Sequence, residues 1–92
     1  MNNIDRIIKL NKKKDVIMAN IDSYSMEYNK NLVEYNRLSS SEVINSEFKN
    51  LQEYEKTMLK YRKRLIKLEN TIKKYQNSLR IIKAQIMMLL ER

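Results

Sequence analysis

The sequence predicts an all-α protein, a two-helix antiparallel coiled-coil hairpin with helices at about residues 3–38 and 43–91. Three observations predict this class. The 92 residues include no glycine and no proline, the residues that tight turns usually recruit. Apolar residues make up 42% of the chain and charged residues 33%, a balance typical of coiled coils. Apolar residues also recur with a period of seven in both halves of the chain, which we treat as a single domain, residues 1–92.

The stronger heptad pattern runs through the second half of the chain. Its a positions are Ile44, Leu51, Met58, Leu65, Ile72, Leu79 and Ile86. Its d positions are Glu47, Tyr54, Tyr61, Leu68, Tyr75, Ile82 and Leu89, so Glu47 is a polar break in an otherwise apolar ladder. A helix of about 70 Å, at 1.5 Å per residue, does not bury its own apolar face. The pattern therefore requires a partner helix.

The first half of the chain has a weaker ladder that suits this partner role. Its a positions are Ile4, Asn11, Met18, Ser25, Leu32 and Ser39, and its d positions are Ile7, Lys14, Ile21, Tyr28 and Tyr35. Four g positions widen the apolar face: Leu10, Ile17, Tyr24 and Leu38. Because several of these positions are polar, we expect this helix to depend on the second one.

The break between the helices falls in the segment SSSEVINSE, residues 39–47. Consecutive serines favour helix caps, and Ser39 with Glu42 fits a capping box, so we place the break at residues 39–42. Folding back there sets Tyr35 opposite Leu51 and Asn11 opposite Tyr75. In that register, residues 86–90 project beyond the start of the first helix.

Charge is distributed unevenly along the chain, whose net charge is +8. Residues 1–14 have five basic and one acidic side chain, residues 15–47 two basic and six acidic, and residues 48–92 twelve basic and four acidic. An acidic first helix and a basic second helix complement each other as neighbours. The paired termini are expected to combine apolar groups with the basic side chains of Arg6, Lys9, Lys12, Lys13, Arg80, Lys83 and Arg92.

The composition disfavours catalysis. The chain has no cysteine and no histidine, which excludes disulfides, thiolate chemistry and the usual zinc sites. Glu53 and Glu55 lie two apart on a helix and do not face each other. We therefore expect no enzyme activity, no cofactor and no metal.

The sequence also predicts where the protein is found. The longest apolar run, residues 86–90, is far too short to span a membrane, and the N-terminus does not resemble a signal peptide. We therefore expect a cytosolic protein.

Two features allow more than one interpretation. The basic segment YRKRLIK, residues 61–67, is either a phosphate-binding cluster or a solvated helix face that pairs with the acidic first helix. Leu59 and Ile66, with Met87 at the same heptad position, lie outside the predicted seam. They are either scattered surface residues or the contact for a third helix or a partner groove.

The two ladders and the N-terminal segments IDRIIKLNKKKD and IDSYSMEYNKN make the chain similar to the central-stalk family of type III secretion systems. This family has a flagellar, FliJ-like branch and YscO- and SpaM-like virulence counterparts, and it resembles the coiled coil of the rotary ATPase gamma subunit. The similarity to the virulence branch covers both helices. This chain is shorter than those proteins.

The resemblance implies a non-enzymatic coupling protein that inserts its joined termini into a hexameric secretion ATPase. It also implies contact between the distal hairpin and the cytoplasmic ring of the export gate, and binding to chaperones. The residues expected to contact the ATPase are Ile4, Arg6, Ile7, Lys9, Lys13, Lys83, Met87, Leu90 and Arg92. Those expected to contact the export gate are Val43, Ile44 and Phe48. The expected location is cytoplasmic, peripheral to the inner-membrane secretion apparatus.

Two other classes of function fit the same sequence. In the first, the long second helix dimerises in parallel with the same helix of a second copy, and the protein is a general coiled-coil adaptor or a chaperone-like interaction protein. In the second, the charge of +8 binds nucleic acid, which is disfavoured because the acidic middle segment breaks up the basic surface.

Overall fold

The computed structural model describes residues 2–91, and within this range every regular element is helical. Helix α1 spans Asn3–Leu38, helix α2 spans Ser41–Glu47 and helix α3 spans Leu51–Leu90. The all-α prediction is confirmed, and so are the bounds of the first helix. The second predicted helix is wrong in one respect, because its first part is the separate helix α2.

The chain divides into two compact units, each built from parts of α1 and α3. The terminal unit comprises residues 2–24 and 71–91, and the turn unit comprises residues 25–70, including α2. In the terminal unit, Leu10 shares a cleft with Leu89, and Tyr24 stacks on Tyr75. In the turn unit, Asn31 bonds to Arg64 and Tyr35 to Arg62. The helices are therefore antiparallel in each unit, in agreement with the predicted hairpin.

Three amide or hydroxyl side chains cap the helix N-termini. The Asn2 Oδ1 atom accepts a hydrogen bond from the Asp5 amide at 2.9 Å, and Asn50 Oδ1 accepts one from the Glu53 amide at 2.8 Å. Ser40 Oγ accepts one from the Val43 amide at 3.4 Å. These oxygens satisfy amide groups that have no partner within their helix.

The predicted Ser39 cap is wrong by one residue. The Ser39 hydroxyl instead donates to the Tyr35 carbonyl oxygen at 2.9 Å, closing the end of α1. This leaves the extended Ser40, with φ −75° and ψ 145°, as the residue that precedes α2. An N-cap needs such an extended backbone, which explains why the capping role moves to Ser40.

The predicted register is wrong in both units. Tyr75 stacks on Tyr24 rather than facing Asn11, and Tyr35 meets Arg62 where Leu51 was expected. Leu51 itself is 67% exposed. The reason is that the reversal takes up residues 39–50, which are α2 and the connections 39–40 and 48–50, and not residues 39–42 alone. A given α1 residue therefore meets a later part of α3.

The heptad ladder of α3 is otherwise confirmed by burial. Met58 and Leu68 are buried, and the other ladder positions of α3 after Leu51 are half-buried. In α1 the d and g positions are half-buried or buried, and the a positions are divided. Asn11, Ser25 and Leu32 are half-buried, whereas Ile4, Met18 and Ser39 are exposed.

Candidate functional site

The terminal unit has a cleft of about 390 Å³ between the first turns of α1 and the last turns of α3. We call it the basic cleft. Its lining residues are Arg6, Lys9, Leu10, Lys13, Gln85, Met88 and Leu89. The α1 residues follow the spacing i, i+3, i+4 and i+7, and the α3 residues the spacing i, i+3 and i+4, so each set lies on one face of its helix.

The basic cleft combines positive charge with uncovered apolar surface. Its three cations come from α1, and no acidic residue is among its lining residues. Leu10 and Leu89 are half-buried at the seam, whereas Met88 is 59% exposed. Cations around a concave apolar floor concentrate positive potential there. Such a surface is suited to bind a partner segment with both acidic and apolar side chains.

The structure brings together part of the predicted ATPase-contact set. Arg6, Lys9 and Lys13 line the basic cleft. Ile7 is half-buried at the seam, and four further members of the set are exposed side chains outside the lining: Ile4, Lys83, Met87 and Leu90. Arg92 lies outside the described residues.

The sequence interpretation missed four residues of the basic cleft: Leu10, Gln85, Met88 and Leu89. The predicted register placed residues 86–90 beyond the N-terminus, and this expectation is wrong because Met88 and Leu89 lie beside Arg6 and Leu10. The missing signal was the number of residues used in the chain reversal.

The predicted export-gate residues lie in the turn unit. Val43, Ile44 and Phe48 are half-buried. The Phe48 ring packs edge-to-face on the Tyr54 ring, with centroids 5.3 Å apart. Ile44 and Phe48 also line a cavity of about 260 Å³ together with the exposed Leu51. These side chains therefore stabilise the reversal, and Leu51 is the apolar group that remains uncovered there.

Arg37 joins the end of α1 to α2. Its guanidinium donates to the Glu34 carboxylate and, at 2.9 Å, to Glu47 Oε1. The hydrogen bond from Arg37 lowers the pKa of Glu34 below its ordinary value, and the bonds to Glu34 and then Glu47 raise the pKa of Arg37. All three groups are exposed, so this network orients α2 more than it stabilises the fold.

The two arginines of the YRKRLIK segment turn toward α1 and bond to uncharged groups. Arg62 Nε donates to the Tyr35 hydroxyl at 3.1 Å, and Arg64 Nη1 donates to Asn31 Oδ1 at 3.2 Å. Arg64 also lies over the Tyr61 ring, 5.4 Å from its centroid. The expected pairing of Arg62 with acidic residues of the first helix is therefore replaced by a bond to a tyrosine.

Neither a metal cluster nor a membrane span is found in the part of the chain that the structure describes. Residues 2–91 contain no group of three or more side chains placed to bind a metal ion. None of the helices in that range combines the length and apolar character that crossing a membrane requires.

The fold defines the class of this protein as all-α, with α1 and α3 paired antiparallel in both of its units. Comparison of the chain with protein-family models, curated proteins and solved structures finds no match.

Proposed function

We propose that the chain is a non-enzymatic stalk of a type III secretion export apparatus, and that its basic cleft contacts the hexameric secretion ATPase. In this proposal the protein acts in the cytoplasm, beside the inner-membrane secretion apparatus. The observation that carries the proposal is the basic cleft itself. It places Arg6, Lys9 and Lys13 around uncovered apolar side chains, which suits a partner surface with acidic and apolar side chains.

Packing in the terminal unit supports this role. The seam residues there are half-buried and none of those described is fully buried, so each helix keeps apolar surface at the edge of the seam. A partner that covers this surface gains hydrophobic stabilisation of about 25 cal/mol per Å² of apolar area buried. The stalk would therefore bind through the pair of helices together and would transmit force without chemistry of its own.

The reversal is the second contact in the proposal. The export-gate ring would meet the turn unit near Val43, Ile44 and Phe48, where Leu51 supplies an exposed apolar side chain. Chaperones are further candidate partners, as the resemblance to the stalk family implies.

The test uses the purified chain and its cognate export ATPase, with binding measured by biolayer interferometry and ATP hydrolysis measured in parallel. Lys9→Glu and Met88→Asp change one charged and one apolar side chain of the basic cleft. Each is expected to weaken binding at least about tenfold, because one reverses a contact charge and the other places a charge against apolar surface. Stimulation of ATP hydrolysis should fall in parallel.

Matched controls lie in the turn unit. Lys30→Glu and Met26→Asp make the same changes at exposed positions of α1, and Met26 is 73% exposed. Both should stay within about twofold of the wild-type affinity, since isolated surface changes have small effects. Unchanged ATPase binding by Lys9→Glu and Met88→Asp would show that the basic cleft is not the contact.

A general coiled-coil adaptor is the second candidate. It is favoured by large apolar side chains that remain exposed in the turn unit: Met26, Val33, Leu51, Leu59 and Ile66. An adaptor would bind another coiled coil through such residues, and it would neither bind a secretion ATPase nor stimulate it.

A further inference from the structure

The outer face of α3 in the turn unit has a pattern that the proposed stalk function does not use. We call it the lysine face, and it consists of Lys56, Leu59, Lys60, Lys63 and Ile66. These residues are all exposed, and Leu59 and Ile66 are 47% and 58% exposed. Leu59 and Ile66 lie seven residues apart, so they share one side of the helix at a separation of about 10.5 Å. The face is therefore an apolar stripe with lysines along one side, and Glu53 and Glu55 line a cavity together with Lys56 and Leu59 at its N-terminal end.

Basic side chains dominate this segment, which lies between Glu55 and Glu69. Residues 56–68 contain six basic side chains and no acidic one. Arg62 and Arg64 are directed at Tyr35 and Asn31 of α1, which leaves the outward positions to lysines. The positive charge of the lysine face is thus separate from the arginines that hold the two helices together.

We propose that the lysine face is a docking site for an acidic amphipathic helix of a partner protein. Apolar groups at seven-residue spacing are what a third helix packs against in a bundle, and flanking glutamates or aspartates would pair with Lys56, Lys60 and Lys63. Charge complementarity therefore selects an acidic helix and disfavours a second copy of the same basic face. None of these residues belongs to the basic cleft, so the two sites can be tested independently.

Two other anionic partners fit the face less well. A lipid surface is bound by helices with a broad apolar face, often with aromatic anchors, whereas this face has two apolar residues and no aromatic one. A nucleic acid would be bound mainly through its phosphates, which the lysines would contact. Leu59 and Ile66 would then have no apolar partner. An acidic helix is the partner that uses both the lysines and the stripe.

The test uses a designed acidic helical peptide of about 20 residues, with leucines at seven-residue spacing flanked by glutamates. Its fluorescence anisotropy is titrated with the full chain. Ile66→Asp is expected to weaken binding about tenfold, and so is the double variant Lys60→Glu with Lys63→Glu. Binding should also weaken as salt is raised, because the contacts are exposed charge pairs.

Three controls decide the outcome. Val33→Asp changes an apolar side chain of α1 that is 69% exposed, and it should leave the affinity within about twofold. A matched peptide with lysines in place of glutamates should bind at least about tenfold more weakly. Circular dichroism checks that each variant keeps wild-type helicity. If Ile66→Asp loses helicity, the double variant Lys60→Glu with Lys63→Glu still tests the face, because it leaves the apolar residues unchanged.

The proposal is overturned if the basic peptide binds as well as the acidic one, or if Val33→Asp weakens binding as much as Ile66→Asp. It is also overturned if the chain does not bind the acidic peptide but binds phosphatidylglycerol vesicles or a single-stranded oligonucleotide, and Ile66→Asp abolishes that binding. Those results would assign the face to a membrane or a nucleic acid.

Discussion

At the scale of single residues, burial is concentrated in the turn unit. Leu38, Met58 and Leu68 are the buried apolar side chains among residues 2–91, with 5%, 2% and 8% of their surface exposed. A pair of helices covers only a strip of each partner, so most seam residues remain half-buried. The heptad pattern predicted Met58 and Leu68 as seam residues, and Leu38 as part of a widened face. It also predicted Leu51, wrongly, because periodicity does not report where a helix starts.

Met58 is the residue whose truncation should matter most. Met58→Ala is expected to lower the free energy of unfolding by about 2–5 kcal/mol, because it removes buried apolar area and leaves a cavity. Met87→Ala is the control, since Met87 is 60% exposed and its truncation should cost less than about 0.5 kcal/mol. Urea unfolding followed by circular dichroism measures both. Equal losses for the two variants would contradict the burial described here.

At the scale of elements, the ends of α1 followed from the sequence but the split between α2 and α3 did not. Ile44 and Leu51 keep the heptad phase, so the pattern runs on across the break at Phe48, whose backbone is extended with φ −112° and ψ 134°. The break is marked in the sequence by a capping pattern at the start of α3 and not by the heptad period. Asn50 followed by Glu53 fits an N-cap with an acidic residue three positions later, and Asn50 does cap α3.

The Asn50 cap gives the second stability prediction. Asn50→Ala is expected to destabilise the fold by about 1 kcal/mol, because the Glu53 amide loses its acceptor. Asn50→Asp should retain most of the stability, since a carboxylate oxygen accepts the same bond. Asn29→Ala, an exposed change within α1, controls for the loss of an amide side chain. Thermal melts of the three variants should separate Asn50→Ala from the other two.

At the scale of the whole molecule, the sequence predicted the basic and apolar character of the candidate site. It did not predict which residues of α1 contact which residues of α3. Arg6, Lys9 and Lys13 were chosen for their charge near the paired termini, and they do line the basic cleft. Met88 and Leu89 were misplaced because the partner of each residue depends on the length of the reversal, which heptads do not encode. The assignment of the basic cleft to α1 and α3 of one chain is the claim on which the proposed function depends.

Light scattering on the purified chain, across a wide range of concentrations, tests that claim most directly. If α1 and α3 of the same chain form the basic cleft, the mass in solution is that of one chain, 11.2 kDa, at every concentration. A mass of twice this value that does not change on dilution would contradict the account. The long helices would then find their partners in a second copy, and a coiled-coil adaptor would replace the stalk as the better proposal.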